Sequence, residues 1–226
     1  MPSFYQIYEN ELFWGKGFTE WNNVKNGKQL FDKHNQPRIP HKDIGYYFNN
    51  DIRILRKQIS LAKQHGIFGF CFYYYWFSNK KLLNSPVDLL FENKDIDFNY
   101  MICWANENWT KSWDGKKDNV LIEQKYKKND ANRIIKDLKK YFSDERYIKI
   151  DGKPAICIYN FEEIPNQINF IKKMREEAVN DDVGDIYILT VDRGYLDREY
   201  FDYIDGIYEF PPFNEGDNYL YEYVLC

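Results

Sequence analysis

The sequence of 226 residues predicts an α/β fold built on a parallel sheet: a (β/α)8 TIM-like barrel, incomplete at its N-terminal strand and its C-terminal units. Three observations carry this expectation. Apolar runs alternate with segments of helical period along the chain. The runs are continuously apolar, as strands buried on both faces are. Each predicted strand also ends in aromatic and polar residues: Tyr73-Tyr74-Tyr75-Trp76, Trp104-Ala105-Asn106-Glu107, Tyr159-Asn160, Asp192-Arg193 and Glu209. In a barrel those ends share one mouth, where catalytic groups belong. The competing architecture is an open doubly wound sheet. The glycine signatures of nucleotide-binding sheets, G-x-G-x-x-G and G-x-x-x-x-G-K-[ST], do not occur in this chain. Five or six strands can be counted. A whole barrel usually needs ~250 residues, so the chain reads as part of one, in a single domain spanning 1–226.

The elements follow in order. Residues 8–48 form a long stretch rich in Gly, Asn and aromatics and read as an irregular loop, a length that usually serves function. Asn49, Asn50 or Asp51 caps a first helix whose Ile52, Leu55, Ile59 and Ala62 make one apolar stripe, and Gly66 ends it. "IFGFCFYYYWF" at 67–77 is a strand. Ser85 and Pro86 open a short helix as cap and first residue. "FNYMICW" at 98–104 is the second strand, followed by a polar loop and a brief "VLI". A helix over 129–142 turns Ile134, Ile135, Leu138, Tyr141 and Phe142 inward. Asp151-Gly152 makes a turn into a strand at 154–159, and a helix runs from Pro165 to Val179. A strand at 186–192, a short helix in "DREYFDYI" and a strand at 206–210 complete the reading.

Composition limits the function. Net charge is −4 with no basic block, which argues against a nucleic-acid partner. No apolar stretch is long enough to span a bilayer, and the N-terminus lacks the regions of a signal peptide. Cys71, Cys103 and Cys157 lie in apolar runs without C-x-x-C spacing, so they read as buried free thiols of a cytoplasmic protein. His34, His41 and His65 are scattered, so neither a metal site nor a cofactor is expected. The Asp-x-Asp at 95–97 precedes a strand and should lie far from the mouth.

The unusual figure is 19% aromatic residues. Sugars offer C–H faces and hydroxyl rims, so Trp and Tyr platforms beside Asn, Asp and Glu suit them. Trp14, Trp21, Trp76, Trp109 and Trp113 fall in predicted loops or strand ends rather than in helix stripes. Glu107 follows a buried strand amid Trp104, Trp109 and Trp113, between Asn106 and Asn108. Apolar surroundings raise a carboxyl pKa, as a general acid requires; the bland alternative is a loop or helix-capping carboxylate. Glu20, in "GKGFTEW", is a second candidate, equally readable as a loop anchor, and Asp114 before Gly115 reads as a turn residue.

"FWGKGFTEWNNV", "GIFGFCFYYYWF", "ICWANENWTKSWDG", "DERYIKIDGKPAICIY" and the Ile164-Pro165 pair resemble, in this order, the WbsX-type family of bacterial polysaccharide-biosynthesis proteins, related to glycoside hydrolase family 99. The resemblance covers essentially the whole chain. It implies a (β/α)8 barrel acting on glycans, of O-antigen or capsule type, without a metal. It implies a catalytic or substrate-contact role for Glu107, and cleft-lining roles for Glu20, Trp21, Tyr75, Trp76, Trp104, Asn106, Asn108 and Trp109. It further implies that the first strand is clipped ahead of residues 2–4, and that a second glutamate of the family lies past the chain's end. Glu215, in "FNEGDNYLYEY", is a poor stand-in for it. The expected function is cleavage or transfer of glycosyl units on a bacterial polysaccharide. The alternatives are a non-catalytic glycan-binding barrel fragment and a donor-dependent glycosyltransferase.

Overall fold

The computed structural model describes residues 6–110, 120–192 and 196–209. Its core is a parallel sheet. Strands β1 (Gly69–Phe77) and β3 (Asn99–Trp104) are separated in sequence by the short β2 (Lys80–Leu82). Strands β4 (Trp109–Thr110), β5 (Val120–Ile122) and β6 (Lys149–Ile150) precede β7 (Lys153–Ile158), β8 (Tyr187–Asp192) and β9 (Gly206–Glu209). The strand order is β2-β1-β3-β7-β8-β9, with β6 paired to β7, and β1, β3, β7, β8 and β9 are parallel neighbours. Helix α3 (Ile52–Gln64) precedes β1, and α4 (Ser85–Glu92), α5 (Asp130–Phe142) and α6 (Gln167–Asn180) link later strands.

The expected alternation is present, with corrections. The stretch read as one irregular loop contains helices α1 (Tyr8–Trp14) and α2 (Glu20–Lys25). Thr19 and Asn22 form a reciprocal cap that starts α2, a signal hidden because Asn replaces the usual Glu or Gln. Asn84, not Ser85, holds the cap position of α4. The segment "DREYFDYI" supplies only a 3-10 turn at Arg198–Tyr200. Of the expected incomplete barrel the structure shows the coarser part, an α/β fold on a parallel sheet; among the described residues that sheet is open, with β2 at one margin and β9 at the other.

Close approach of β1 to β3 begins at Gly69, where a Cβ would come within 2.7 Å of the Asn99 carbonyl oxygen.

Side chains alternate across the strands, so the sheet has two distinct faces. Tyr74 meets Tyr141 of α5 edge-on, and Trp104 stacks on Phe170 of α6. This helix-covered face, with Leu55, Ile59, Leu90, Ile102, Ile134, Ile135, Leu138 and Ile156, forms the main core. Each such aliphatic side chain stabilises the fold by about 1.5–3 kcal/mol relative to exposure. On the other face, Ile7, Tyr75, Phe77, Leu82, Ala105 and Trp109 make a smaller cluster near the strand exits. No helix of the described residues is long and apolar enough to cross a membrane.

Candidate functional site

The exits of β1, β3 and β7 lie side by side, because Tyr74 pairs with Trp104 and Trp104 with Ile158 in the parallel register. Above this edge the chain leaves β3 through Ala105-Asn106-Glu107-Asn108 and enters the β4–β5 ribbon. Asn106 fastens the exits together. Its Nδ2 donates to the Asn160 carbonyl at 2.7 Å and to the Tyr126 hydroxyl at 2.8 Å, and its Oδ1 accepts from the Asn160 N–H at 2.8 Å. Burial pushes the Tyr126 phenol up to about 12, against the lowering effect of that Asn106 bond.

Glu107, the next residue, is half-buried. Its charge bears on Tyr75: burial foremost, then the Glu107 carboxylate, holds the Tyr75 phenol protonated well above its usual range. Tyr75 stacks on Tyr73 and takes the edge of Trp109, with ring centres 6.2 and 5.0 Å apart. Tyr73 meets Tyr159 of the β7 exit edge-on at 5.7 Å. Tyr73 and Tyr159 are partly exposed, and Tyr73 links Tyr159 to Tyr75, the ring on which Glu107 bears. Sequence reading placed both at strand ends without assigning them a role. The signal that could have singled them out is strand parity, which puts Tyr73, Tyr75 and Cys103 on the face opposite the helices.

Several residues expected to line the cleft do something else. Trp76 and Trp104 are solvent-inaccessible. Trp76 points at α5, where its indole N–H donates to Asp137 at 2.6 Å. The Trp104 indole N–H donates to the Trp76 carbonyl at 3.3 Å. Both follow the helix-facing parity of their strands, so the expectation that they contact substrate is corrected. Asn106 is 1% exposed with three of its hydrogen bonds spent inside the protein, and is likewise corrected to a structural clasp. Trp109 is buried, and its indole N–H donates to Asn10 of α1 at 3.1 Å, so it seats α1 on the strand exits. Asn108 is exposed and accepts from the Gln124 N–H at 2.7 Å, joining the residue before β4 to the chain leaving β5.

Trp21 and Glu20 stand on α2. Trp21 is buried between Tyr46 and Tyr47 and donates its indole N–H to the Tyr47 carbonyl. Glu20 is 6% exposed. Burial raises its carboxyl pKa, against the lowering effect of a 3.2 Å hydrogen bond from Asn23. Its Oε1 is buried and has no hydrogen-bond partner among the described residues. Trp14 lies on α1, stacked on Phe18. Trp113, Asp114, Gly115, Arg193 and Glu215, and residues 2–4 and 210–212, fall outside the described residues.

Beneath the tyrosines, Cys71, Cys103 and Cys157 occupy adjacent strands as free thiols. Hydrogen bonds with Cys157 and Cys71, together with burial, hold the Cys103 thiol protonated. Cys71 is only partly buried, unlike the other two. Among the described residues no group of three or more His, Cys, Asp and Glu side chains is arranged to hold a metal ion. Asp95 and Asp97 precede β3 and pair with Arg56 and Lys63 of α3, at the end of the strand away from Glu107. A surface depression beside Arg175, Asp185 and Asp205 lies at the starts of β8 and β9. Arg175 ion-pairs with both aspartates there, a packing role at the end of the sheet opposite the strand exits.

A family model described as Glycosyltransferase WbsX matches residues 1–224. The WxcX protein of Xanthomonas campestris pv. campestris strain B100 is 34% identical over 213 residues, which is 94% of this chain and 30% of that protein. The WxcX protein of strain ATCC 33913 matches to the same extent. The chain thus spans about a third of the length of these curated relatives. Among solved structures, a glycoside hydrolase-like protein superposes with a TM-score of 0.52 at 13% identity, covering 84% of this chain and 63% of that one. The family 99 endo-α-mannosidase of Bacteroides thetaiotaomicron gives 0.49 at 17% identity, covering 74% and 49%. The first of these is a likeness of fold.

Proposed function

The chain belongs to the WbsX glycosyltransferase family, and from that premise we propose that it cleaves or transfers a glycosyl unit on a bacterial polysaccharide of O-antigen or capsule type. The observation that carries this reading is Glu107: a half-buried carboxyl at the exit of β3 that bears on Tyr75, the inner ring of a series continued by the partly exposed Tyr73 and Tyr159. A saccharide laid on those rings would bring a glycosidic oxygen to the carboxyl. Glu107 would then donate a proton to the leaving oxygen, the step that general acids accelerate by about 10²–10⁴-fold. We read the parallel sheet as an arc of a (β/α)8 barrel, a reading supported by the fold likeness to the glycoside hydrolase-like protein. Glu20 and Asn108 remain candidate substrate contacts in this proposal, and we assign the protein to the cytoplasm on its free thiols.

The test is Glu107→Gln, assayed on the source strain's polysaccharide. We expect turnover to be lost while glycan binding survives. Unchanged activity would remove Glu107 from the mechanism. Binding by the unaltered chain without any new reducing ends or transferred sugar would favour a non-catalytic glycan-binding role. The family's description favours transfer over hydrolysis. Calorimetry with nucleotide-linked sugars tests that form, and an absence of heat with any of them would exclude a nucleotide-linked donor.

A further inference from the structure

The stretch between α2 and α3 stands apart from the rest of the surface. Within it, residues 27–42 carry four Lys or Arg (Lys28, Lys33, Arg38 and Lys42) against one acid, Asp32, in a chain whose net charge is −4. Among the described residues none of these four is in an ion pair, whereas Arg53, Arg56 and Lys63 of α3 are each paired with an aspartate. Three of the most exposed large apolar side chains lie among them: Leu30 at 81%, Ile39 at 77% and Phe31 at 67%.

The loop bearing them is built rather than slack. Its ends meet at Gly27 and Gln36, where a Cβ on residue 27 would come within 2.6 Å of the Gln36 Oε1. Across the tip, His34 stacks on Phe31 at 4.6 Å and 4°, and its Nδ1 accepts from the Leu30 N–H at 3.3 Å. This is a compact loop with close ends and with Leu30 and Phe31 at its outer turn, and Ile39 follows just past its closure. Lys28, Lys33 and Arg38 flank that turn.

We propose that this loop docks on an anionic lipid surface, with Leu30, Phe31 and Ile39 entering the headgroup layer and Lys28, Lys33 and Arg38 facing acidic phosphates. Apolar tips with unpaired cations are the pairing that such a surface accepts, and each takes the part of the interface it suits. A nucleic acid would answer the cations but offers no apolar layer for Leu30 and Ile39. The proposal goes beyond the reaction at Glu107 and does not depend on it.

Co-sedimentation of the full chain with vesicles tests it. We expect binding to phosphatidylcholine vesicles containing about one-third phosphatidylglycerol, none to phosphatidylcholine alone, and loss of binding in high salt. Removing Lys33 or Arg38 should weaken binding by about fivefold each. The double variant Leu30→Asp with Phe31→Asp should abolish it while the circular dichroism spectrum stays unchanged, since both side chains are exposed. Lys57→Ala on α3 should leave it unaltered. Failure to bind the anionic vesicles, or equal binding by the folded double variant, would overturn the proposal. So would a dimer that the double variant dissociates, or binding of duplex DNA in preference to vesicles.

Discussion

Asn106 and Asn160 hold each other in a reciprocal clasp, the side-chain amide of one bonded both ways to the backbone of the other at 2.7 and 2.8 Å. The pair reproduces the two-way bonding of a sheet ladder just where the ladder between β3 and β7 ends. It therefore sets the path of the chain into Glu107, and with it the position of the only carboxyl in the "NEN" triplet.

Asn106→Ala should lower stability by about 2–4 kcal/mol, because it leaves the Asn160 N–H and carbonyl without partners in a partly buried setting. Asn106→Asp keeps an acceptor for the N–H but sets a carboxylate against the carbonyl, so it should also destabilise. Urea unfolding measures both. A midpoint identical to the unaltered chain would show that the clasp contributes nothing.

Affinity and stability should separate along strand parity. Trp76→Ala should cost about 3–5 kcal/mol of stability, as loss of a buried tryptophan does. The milder Trp76→Phe should lose the Asp137 hydrogen bond and some stability, yet leave saccharide affinity unchanged. Tyr159→Ala should do the reverse, weakening affinity by about tenfold through loss of an aromatic face. Calorimetric binding beside thermal unfolding would read both. The opposite pattern would overturn the placement of the two faces.

Glu20 should make stability depend on pH in an unusual direction. Burial raises its carboxyl pKa in the folded chain, so the folded state holds that proton more tightly than the unfolded one. Its contribution is then full below the unfolded pKa and is lost as pH rises through the raised folded pKa. Glu20→Gln should stabilise the protein at neutral pH, with the advantage shrinking as pH falls into the ordinary carboxylate range. Parallel stability-against-pH curves for the two proteins would refute this.

Asp144 should act with the opposite sign. Burial works to raise its pKa, but hydrogen bonds from Arg146 and Lys94 outweigh it and hold the carboxyl well below the usual range. This contribution is present above the unfolded pKa of about 3.9 and is lost as pH falls toward the folded value. Asp144→Asn should cost about 3–5 kcal/mol at neutral pH, since Arg146 is left buried without its partner. It should also flatten the acid limb of the unfolding profile. An acid limb as steep as before would assign that limb to other groups.

Much of the fold was legible in the chain. The apolar stripe of α3 with Asp51 at its cap, the inward face of α5, and the buried runs of β1, β3 and β7 all fall within a few residues of their expected places. These are local signals: period, caps and turn residues act within one element. Helices α1 and α2 escaped notice because they are short and their start signals are weak: Ile7 precedes the first, and Thr19 of the second is answered by Asn22 rather than by the usual Glu or Gln.

The site was legible only in outline. Glu107 and its aromatic neighbours could be assigned to a strand exit from residue order alone, and the "GKGFTEW" and "WANENWT" motifs point to the family without any coordinates. Which side of the sheet each aromatic takes could not be read, because every residue in 73–76 is apolar or aromatic and no polar partner marks the parity. Only pairing with β3, and the helices that cover one face, sends Trp76 and Trp104 into the core while Tyr73 and Tyr159 stay at the surface. Hydrogen bonding is likewise a property of partners distant in sequence. Asn106 reads as a sugar ligand until Asn160, 54 residues away, is brought against it.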